Sequence, residues 1–300
     1  MIDISLFEAV ISKDRLRQNE PMSKHTTFKT GGNADLMALP SQTEEIIGII
    51  NICKANNIPY YVIGNGSNLL VSDRGIRGVV IKLGTEFSQI RADNNIITAQ
   101  AGALLSAVAQ RALREELKGM EFAAGIPGSI GGGICMNAGA YGGELKDIVK
   151  EVKVLYKGEV KALSNEECGF GYRHSRIMEE GMIVLEVKLK LEKGNPSEIK
   201  AVMDDLALRR REKQPLDKPS AGSTFKRPEG NFAGKLIEEA GLKGFSIGGA
   251  QVSEKHCGFV VNTGKATTDD ILSLINSVKE RVYQNSGIML EPEVRFLGEL

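Results

Sequence analysis

The stretch AAGIPGSIGGGICMNAGAYGGE, residues 123–144, contains eight glycines and one proline, and its flanking segments have ordinary helix and strand patterns. Glycine lets a backbone approach a ligand closely, and it lets successive N–H groups point at phosphate oxygens. Two shorter glycine-containing stretches precede it, TGGNAD at 30–35 and GNGSN at 64–68. Taken singly, each stretch is as typical of a tight turn or bulge in a β-rich domain as of a loop that binds a ligand.

Neither standard nucleotide-binding fingerprint accompanies these glycines. The segment VIGNGSNLL, residues 62–70, has leucine where the third glycine of GxGxxG belongs. The segment TGKAT, residues 263–267, lacks both the upstream glycine and the Ser/Thr of a P-loop. A Rossmann fold and a P-loop fold are therefore disfavoured.

Length and composition predict two or three domains, each able to bury a core, and are compatible with an enzyme. The chain has 300 residues, 42% of them hydrophobic and 25% charged, and its 38 Lys+Arg equal its 38 Asp+Glu. Without a basic face, a nucleic-acid partner has no electrostatic basis. The N-terminal segment has no signal-peptide pattern, and nowhere do 18 apolar residues run together, which predicts a cytoplasmic protein with no membrane partner.

The cysteines Cys53, Cys135, Cys168 and Cys257 are far apart and form no CxxC pair. In a chain without a signal peptide, this spacing favours reduced structural thiols and predicts no metal site.

Apolar periodicity predicts an α+β chain. The pattern of Ile46, Ile47, Ile50 and Cys53 indicates a helix, and Thr267 with Asp270 forms a capping box before a helix that ends at Gly287. Predicted helices are 43–57, 103–117, 197–213, 231–242 and 267–287, and predicted strands are 60–64, 77–83, 96–102, 152–156, 183–192 and 288–298. The segment QPLDKPSAGSTFKRPEG, residues 214–230, is a long irregular loop of the kind that carries function or is disordered.

Six stretches in this order resemble the UDP-N-acetylenolpyruvoylglucosamine reductase family. They are HTTFKTGGNAD (25–35), VIGNGSNLLVSDRGIRGVVI (62–81), GMEFAAGIPGSIGGGICMNAGAYG (119–142), FGYRHSRI (170–177), AGSTFKRP (221–228) and LEPEVRFLGE (290–299). The resemblance implies an α+β FAD-binding fold of the vanillyl-alcohol-oxidase/PCMH type with an additional α+β substrate-binding domain. It divides the chain into FAD-binding subdomain 1 (1–75 with a C-terminal strand, 289–300), FAD-binding subdomain 2 (76–195) and a substrate-binding domain (196–288).

The resemblance also implies a reaction and a cofactor. In the family, NADPH reduces FAD, and the reduced flavin reduces UDP-N-acetylglucosamine-enolpyruvate to UDP-N-acetylmuramate. This step belongs to peptidoglycan precursor synthesis, and through it to cell-wall biogenesis, cell shape and cell division. The implied FAD-binding residues are Gly64, Asn65, Gly66, Ser67, Asn68, Leu69, Gly125, Ile126, Pro127, Gly128, Ser129, Gly132, Asn137 and Gly139.

By the same resemblance, Ser223 is the proton donor, Arg173 binds the substrate carboxylate and the developing charge, and Glu293 polarises or relays a proton. Reduction of the double bond needs such an acid and such a cation. Without the family, Ser223 is most often a turn former, Arg173 a surface charge and Glu293 the solvent face of a strand, a face that Glu291 shares. Lys213, Arg227 and His256 are predicted to bind substrate, Lys213 and Arg227 at the diphosphate.

The chain departs from part of the family. A longer type carries a tyrosine-bearing loop over the substrate, whereas the direct passage from Arg173 to the 183–192 strand indicates the shorter type. Covalent attachment in related oxidases uses a histidine near the first glycine loop, but GNGSNLL has none, so FAD is expected to be non-covalent. Two alternatives remain, an FAD-dependent oxidase with another small substrate and a non-enzymatic nucleotide-binding protein.

Overall fold

The computed structural model describes residues 2–299, and the chain divides into two compact units. The first unit comprises Met1–Arg17, Met37–Asn65 and Val79–Arg210. The second comprises Gln18–Leu36, Gly66–Gly78 and Arg211–Leu300. Each unit is therefore assembled from three separate segments of the chain. The three domains predicted from the sequence stay a prediction.

Helices form where the sequence has apolar periodicity. The capping box of Thr267 and Asp270 is present, and Gly287 ends the last helix in the left-handed conformation at φ 70°, as predicted. In chain order the helices are α1 (Thr43–Ala55), α2 (Leu105–Arg114), α3 (Ile130–Cys135), α4 (Arg176–Glu179), α5 (Pro196–Lys213), α6 (Ala233–Glu239) and α7 (Thr268–Ser286).

The strands are mostly short. In chain order they are β1 (Leu16–Pro21), β2 (Asn33–Ala38), β3 (Tyr60–Ile63), β4 (Leu69–Val71), β5 (Ile76–Lys82), β6 (Ile90–Asp93), β7 (Ile96–Gln100), β8 (Leu117–Lys118), β9 (Gly139–Ala140), β10 (Gly143–Glu144), β11 (Val149–Tyr156), β12 (Glu159–Ser164), β13 (Ile183–Lys190), β14 (Glu192–Lys193), β15 (Ser246–Ile247), β16 (Ala250–Val252), β17 (Val260–Asn262) and β18 (Arg295–Leu297).

An antiparallel sheet of five strands, in the order β12-β11-β13-β7-β6, organises the first unit. Val152 pairs with Val187, and Val187 pairs with Ala99, so the buried residues of successive strands share one face. The predicted strand 152–156 lies within β11, and the predicted strand 183–192 corresponds to β13, which ends at Lys190. Two short antiparallel pairs, β9 with β10 and β8 with β14, accompany this sheet.

The second unit packs α6 and α7 around the small antiparallel sheet β15-β16-β17. Its core includes Leu236, Val252, Ile271 and Val278. A separate parallel pair joins β18 to β4, with Phe296 opposite Leu70.

A further sheet has the order β1-β2-β5-β3, in which β3 and β5 are parallel. The strands β1, β2 and β5 each contain residues of both units, so the chain passes from one unit to the other within them.

The structure differs from the sequence predictions at the C-terminal strand, at α6 and at α3. The terminal strand 288–298 is reduced to Arg295–Leu297, and Pro292, which lacks an N–H, makes only an isolated antiparallel bridge with Phe225. The predicted C-terminal strand 289–300 includes Leu300, which lies outside the described residues, and in its described part the strand is Arg295–Leu297. Helix α6 is shorter than 231–242, and the glycine-rich stretch contains an unpredicted helix, α3.

The four cysteines are free thiols, as predicted. Burial raises the pKa of the Cys53 and Cys168 thiols to about 11, which makes both poor nucleophiles. Across residues 2–299, no helix combines the length and apolar character needed to cross a bilayer.

Candidate active site

The loop after β3 presents unpaired main-chain donors. Among the hydrogen bonds of residues 2–299, none uses the N–H of Asn65, Gly66 or Ser67. Gly66 has φ 66°, and a Cβ there would overlap the His25 carbonyl oxygen, so this turn requires glycine. Successive unpaired N–H groups of this kind form an anion-binding concavity.

The second glycine loop lies beside Gly64 and Asn65, the residues of that turn that belong to the first unit. The Asn65 side-chain amide donates to the Pro127 carbonyl, and a Cβ on Gly64 would overlap the Ser129 hydroxyl. The Leu105 N–H donates to the Gly128 carbonyl at 3.0 Å, which fixes the loop on the start of α2. A cavity of about 120 Å³ opens here, lined by Val62, Ile63, Gly64, Leu83, Ala101, Ser129, Gly131, Gly132, Cys135, Met182, Ile183 and Val184.

The three consecutive glycines of α3 have different surroundings. A Cβ on Gly131 would lie 2.8 Å from the Ala101 Cβ, and one on Gly133 would lie 3.0 Å from Leu145 Cδ1. Both positions are buried, so these glycines let the helix approach its neighbours closely. Gly132 is exposed, and its nearest neighbour would be the Ser129 hydroxyl at 3.6 Å. Of the three, only Gly132 leaves space for a ligand.

Asn137 is fully engaged within the first unit. It is 1% exposed, and its amide donates to Glu144 at 2.9 Å and to the Gly171 carbonyl at 3.0 Å. Its carbonyl accepts from the Lys146 N–H at 3.0 Å. These bonds join the glycine-rich segment to the segment that carries Arg173, which is a structural role.

Arg173 occupies a strained turn in the first unit. Its φ of 52° is in the left-handed region, which a side chain as large as arginine rarely adopts. Gly171 and His174 exchange backbone hydrogen bonds across the turn, and the Arg173 guanidinium lies 5.3 Å from the Tyr172 ring. The Lys146 hydrogen bond, together with Asn137 and the charge of Arg173, holds the pKa of Glu144 below its ordinary value.

In the second unit, Ser223 and Glu293 lie on neighbouring segments. The Glu293 N–H donates to the Thr224 carbonyl at 2.8 Å, and Phe225 bridges Pro292 in antiparallel register. The Asn68 amide donates to the Glu293 carbonyl at 3.0 Å. The Thr224 hydroxyl accepts from the Val260 N–H, and the Thr224 N–H donates to the Gly258 carbonyl. Ser223 is exposed, so its hydroxyl is accessible to a substrate.

The three predicted substrate residues have different environments. Lys213 is exposed at the end of α5, and the Arg227 guanidinium lies 4.0 Å from the exposed Phe232 ring. His256 Nδ1 accepts from the Gly258 N–H at 3.1 Å, and its ring meets Phe259 edge-on at 5.0 Å. Burial lowers the pKa of His256, which favours the neutral form of the ring.

Three polar groups that the sequence did not single out are buried without a hydrogen-bond partner in the described part of the chain: the hydroxyls of Thr27 and Thr30 and the Nε of Arg210. The threonines belong to the HTTFKTGG stretch, and the Thr27 N–H donates to the Gly66 carbonyl at 3.3 Å. Buried polar groups normally have partners, so these positions point to a ligand. Residues 2–299 contain no cluster of side chains suited to a metal ion.

Two family models match the chain, one described as "FAD binding domain" at residues 34–164 and one as "UDP-N-acetylenolpyruvoylglucosamine reductase, C-terminal domain" at residues 214–297. The chain is similar to the UDP-N-acetylenolpyruvoylglucosamine reductase of Clostridioides difficile, with 54% identity over 97% of this chain and 96% of that protein. The protein of the same name from Caldanaerobacter subterraneus is 51% identical, with 99% and 98% covered.

Among solved structures, the UDP-N-acetylenolpyruvylglucosamine reductase of Thermus caldophilus matches with a TM-score of 0.81 and 38% identity, covering 94% of this chain and 97% of that one. These similarities confirm the predicted fold class, an α+β FAD-binding fold of the vanillyl-alcohol-oxidase/PCMH type with an additional domain.

Proposed function

Because this chain belongs to the UDP-N-acetylenolpyruvoylglucosamine reductase family, we propose that Arg173, Ser223 and Glu293 carry out its reaction. The protein is an FAD-dependent oxidoreductase that reduces UDP-N-acetylglucosamine-enolpyruvate to UDP-N-acetylmuramate in peptidoglycan synthesis, with NADPH as the reductant. The observation that carries the residue assignment is the pairing of the Ser223 segment with the Glu293 segment.

The residues around the glycine loops fit FAD. The unpaired N–H groups of Asn65, Gly66 and Ser67 are suited to its pyrophosphate, because they offer donors without a competing side chain. Exposed Gly132 and the lining of the 120 Å³ cavity leave space beside them. Asn137 is proposed to support the cofactor site indirectly, by holding its neighbouring residues in place. The remaining cofactor residues are proposed to be Gly64, Asn68, Leu69, Gly125, Ile126, Pro127, Gly128, Ser129 and Gly139.

When bound, reduced FAD supplies the hydride for the methylene carbon of the substrate. Ser223 then donates its hydroxyl proton to the adjacent carbon and recovers a proton from water. Arg173 binds the substrate carboxylate through its planar donors and offsets the negative charge that develops there. Glu293 orients the donor or relays its proton. Removing one such group typically slows a reaction by about 100-fold or more.

Substrate binding is assigned to exposed cations. We assign Lys213 and Arg227 to the diphosphate and His256 to a supporting position, where its hydrogen bond with Gly258 stabilises the turn that contacts Thr224. Helix α4 ends at Glu179 and β13 begins at Ile183, a short passage that supports the shorter type of the family. The expected setting is the cytoplasm, with small-molecule partners and a role in cell shape and division through the wall precursor.

The visible spectrum of the purified protein tests this function. Under anaerobic conditions, we expect NADPH to bleach the flavin band and UDP-N-acetylglucosamine-enolpyruvate to restore it. A band that only oxygen restores would instead indicate an oxidase with another substrate. Protein that neither contains nor takes up flavin would contradict the function altogether.

A further inference from the structure

Glu144 is a carboxylate that its neighbours in the first unit hold in a fixed place. It forms an ion pair with Lys146 at 2.8 Å and accepts from the Asn137 amide at 2.9 Å. A Cβ on Gly139, its partner in the β9–β10 pair, would lie 2.7 Å from Glu144 Cγ, so only glycine leaves room for the side chain there. The hydrogen bond from Lys146 lowers the pKa of Glu144, so the group is an anion at neutral pH.

Asn137 connects this carboxylate to the turn that carries Arg173. Its amide donates to Glu144 and also to the Gly171 carbonyl at 3.0 Å. Gly171 in turn exchanges backbone hydrogen bonds with His174, which closes the turn around Arg173. Asn137 is 1% exposed, so this connection is shielded from water. The charge of Arg173 also contributes to the lowered pKa of Glu144, so the two charges interact within the first unit.

Arg173 needs support from its surroundings. Its φ of 52° costs free energy, and such strain persists only where neighbouring groups hold it. A long side chain also loses rotamer freedom when it binds an anion, and a fixed negative charge nearby favours the rotamers that bring the guanidinium toward it. Glu144 has a local role as well, a capping box with Asp147, but that role explains neither its bond with Asn137 nor its interaction with Arg173.

Building on the role proposed above for Arg173, we propose that Glu144 is a positioning residue for Arg173. Its carboxylate holds the guanidinium in the orientation in which it binds the substrate carboxylate. Lys146 and Asn137 in turn hold the carboxylate of Glu144. This role requires no contact between Glu144 and the substrate.

A double-mutant cycle tests whether Glu144 acts through Arg173. Glu144→Gln keeps the size of the side chain and an accepting oxygen but removes the charge. Stopped-flow absorbance of the holoenzyme measures flavin reoxidation by UDP-N-acetylglucosamine-enolpyruvate. We expect Glu144→Gln to slow this step by about tenfold or more, because a small misplacement of a binding group is costly in rate. In an Arg173→Ala protein, the same substitution should change the rate by less than about twofold.

Three comparisons make the test specific. Flavin reduction by NADPH should proceed at the wild-type rate in Glu144→Gln, which a general disturbance of the flavin site would not allow. Glu167→Gln is the matched control, because Glu167 is also a carboxylate hydrogen-bonded at a short turn of the first unit, and both rates should stay unchanged. Glu144→Asp keeps the charge and should slow reoxidation less than Glu144→Gln. It replaces Glu144→Gln in the cycle if that variant retains no flavin.

The outcomes separate this role from the proposed function. Equal slowing by Glu144→Gln in the presence and absence of the Arg173 side chain would overturn the positioning role and leave Glu144 a structural group. A wild-type rate in Glu144→Gln would overturn it as well. A wild-type rate in Arg173→Ala would contradict the assignment of Arg173 and, with it, this role. Failure of the substrate to reoxidise the wild-type flavin would contradict the proposed reaction and everything built on it.

Discussion

Ser223 and Ser220 lie in the same irregular loop, but Ser223 directly precedes Thr224, the partner of Glu293. We expect Ser223→Ala to slow reoxidation of the flavin by substrate by about 100-fold or more, because the proton donor is lost. Reduction of the flavin by NADPH should be unaffected. Stopped-flow absorbance measures both half-reactions, and Ser220→Ala serves as the control. Reoxidation at the wild-type rate would remove Ser223 from the mechanism.

The sequence shows which residue types its motifs contain, but it does not show which groups those side chains hydrogen-bond to. Asn137 is predicted to bind the cofactor, which stays a prediction, and the partners of its three side-chain hydrogen bonds within the first unit could not be predicted. Arg210 was missed because it is one of three consecutive arginines. A signal existed, since Arg210 follows Ile199 and Met203 on the buried face of α5 at spacings of eleven and seven residues.

At the scale of the element, α3 offers a matched pair of glycines. Gly131→Ala should lower the free energy of unfolding by about 1–3 kcal/mol, because its Cβ would press on Ala101. Gly132→Ala has space and should stabilise the flavin-free protein by about 0.5–1 kcal/mol through helix propensity. The same substitution should weaken FAD binding. Urea unfolding and flavin fluorescence measure the two effects, and equal destabilisation by both substitutions would contradict the assignment.

Periodic elements were predictable, whereas α3 was not. Helices α1, α5 and α7 have buried residues at helical spacing and, in α7, a complete cap. Helix α3 has three consecutive glycines, which propensity disfavours, and it exists because its buried glycines pack closely against Ala101 and Leu145. Packing of this kind does not require apolar residues at helical spacing, so a six-residue segment such as α3 shows no pattern that predicts a helix.

At the scale of the whole molecule, FAD should stabilise the chain against heat. At 100 times its Kd, a ligand specific for the folded state adds about 2.7 kcal/mol, and the melting temperature should rise by about 5 °C or more. Riboflavin lacks the diphosphate that the Asn65–Ser67 N–H groups are proposed to bind, so at the same concentration it should raise the temperature less. Calorimetry compares the two ligands, and equal stabilisation would argue against a pyrophosphate site in that turn.

The α+β class was predictable from the alternation of patterns, but the assembly of each unit from three chain segments was not, because pairing between distant segments has no local signal. The bond from Asn68 to Glu293 joins residues 225 positions apart, and β4 pairs with β18 across a similar interval. Contacts so remote in sequence have a high contact order, and closing such a loop is entropically slow. We therefore expect the candidate carboxylate to reach its place late in folding, so that a partly folded chain would lack activity.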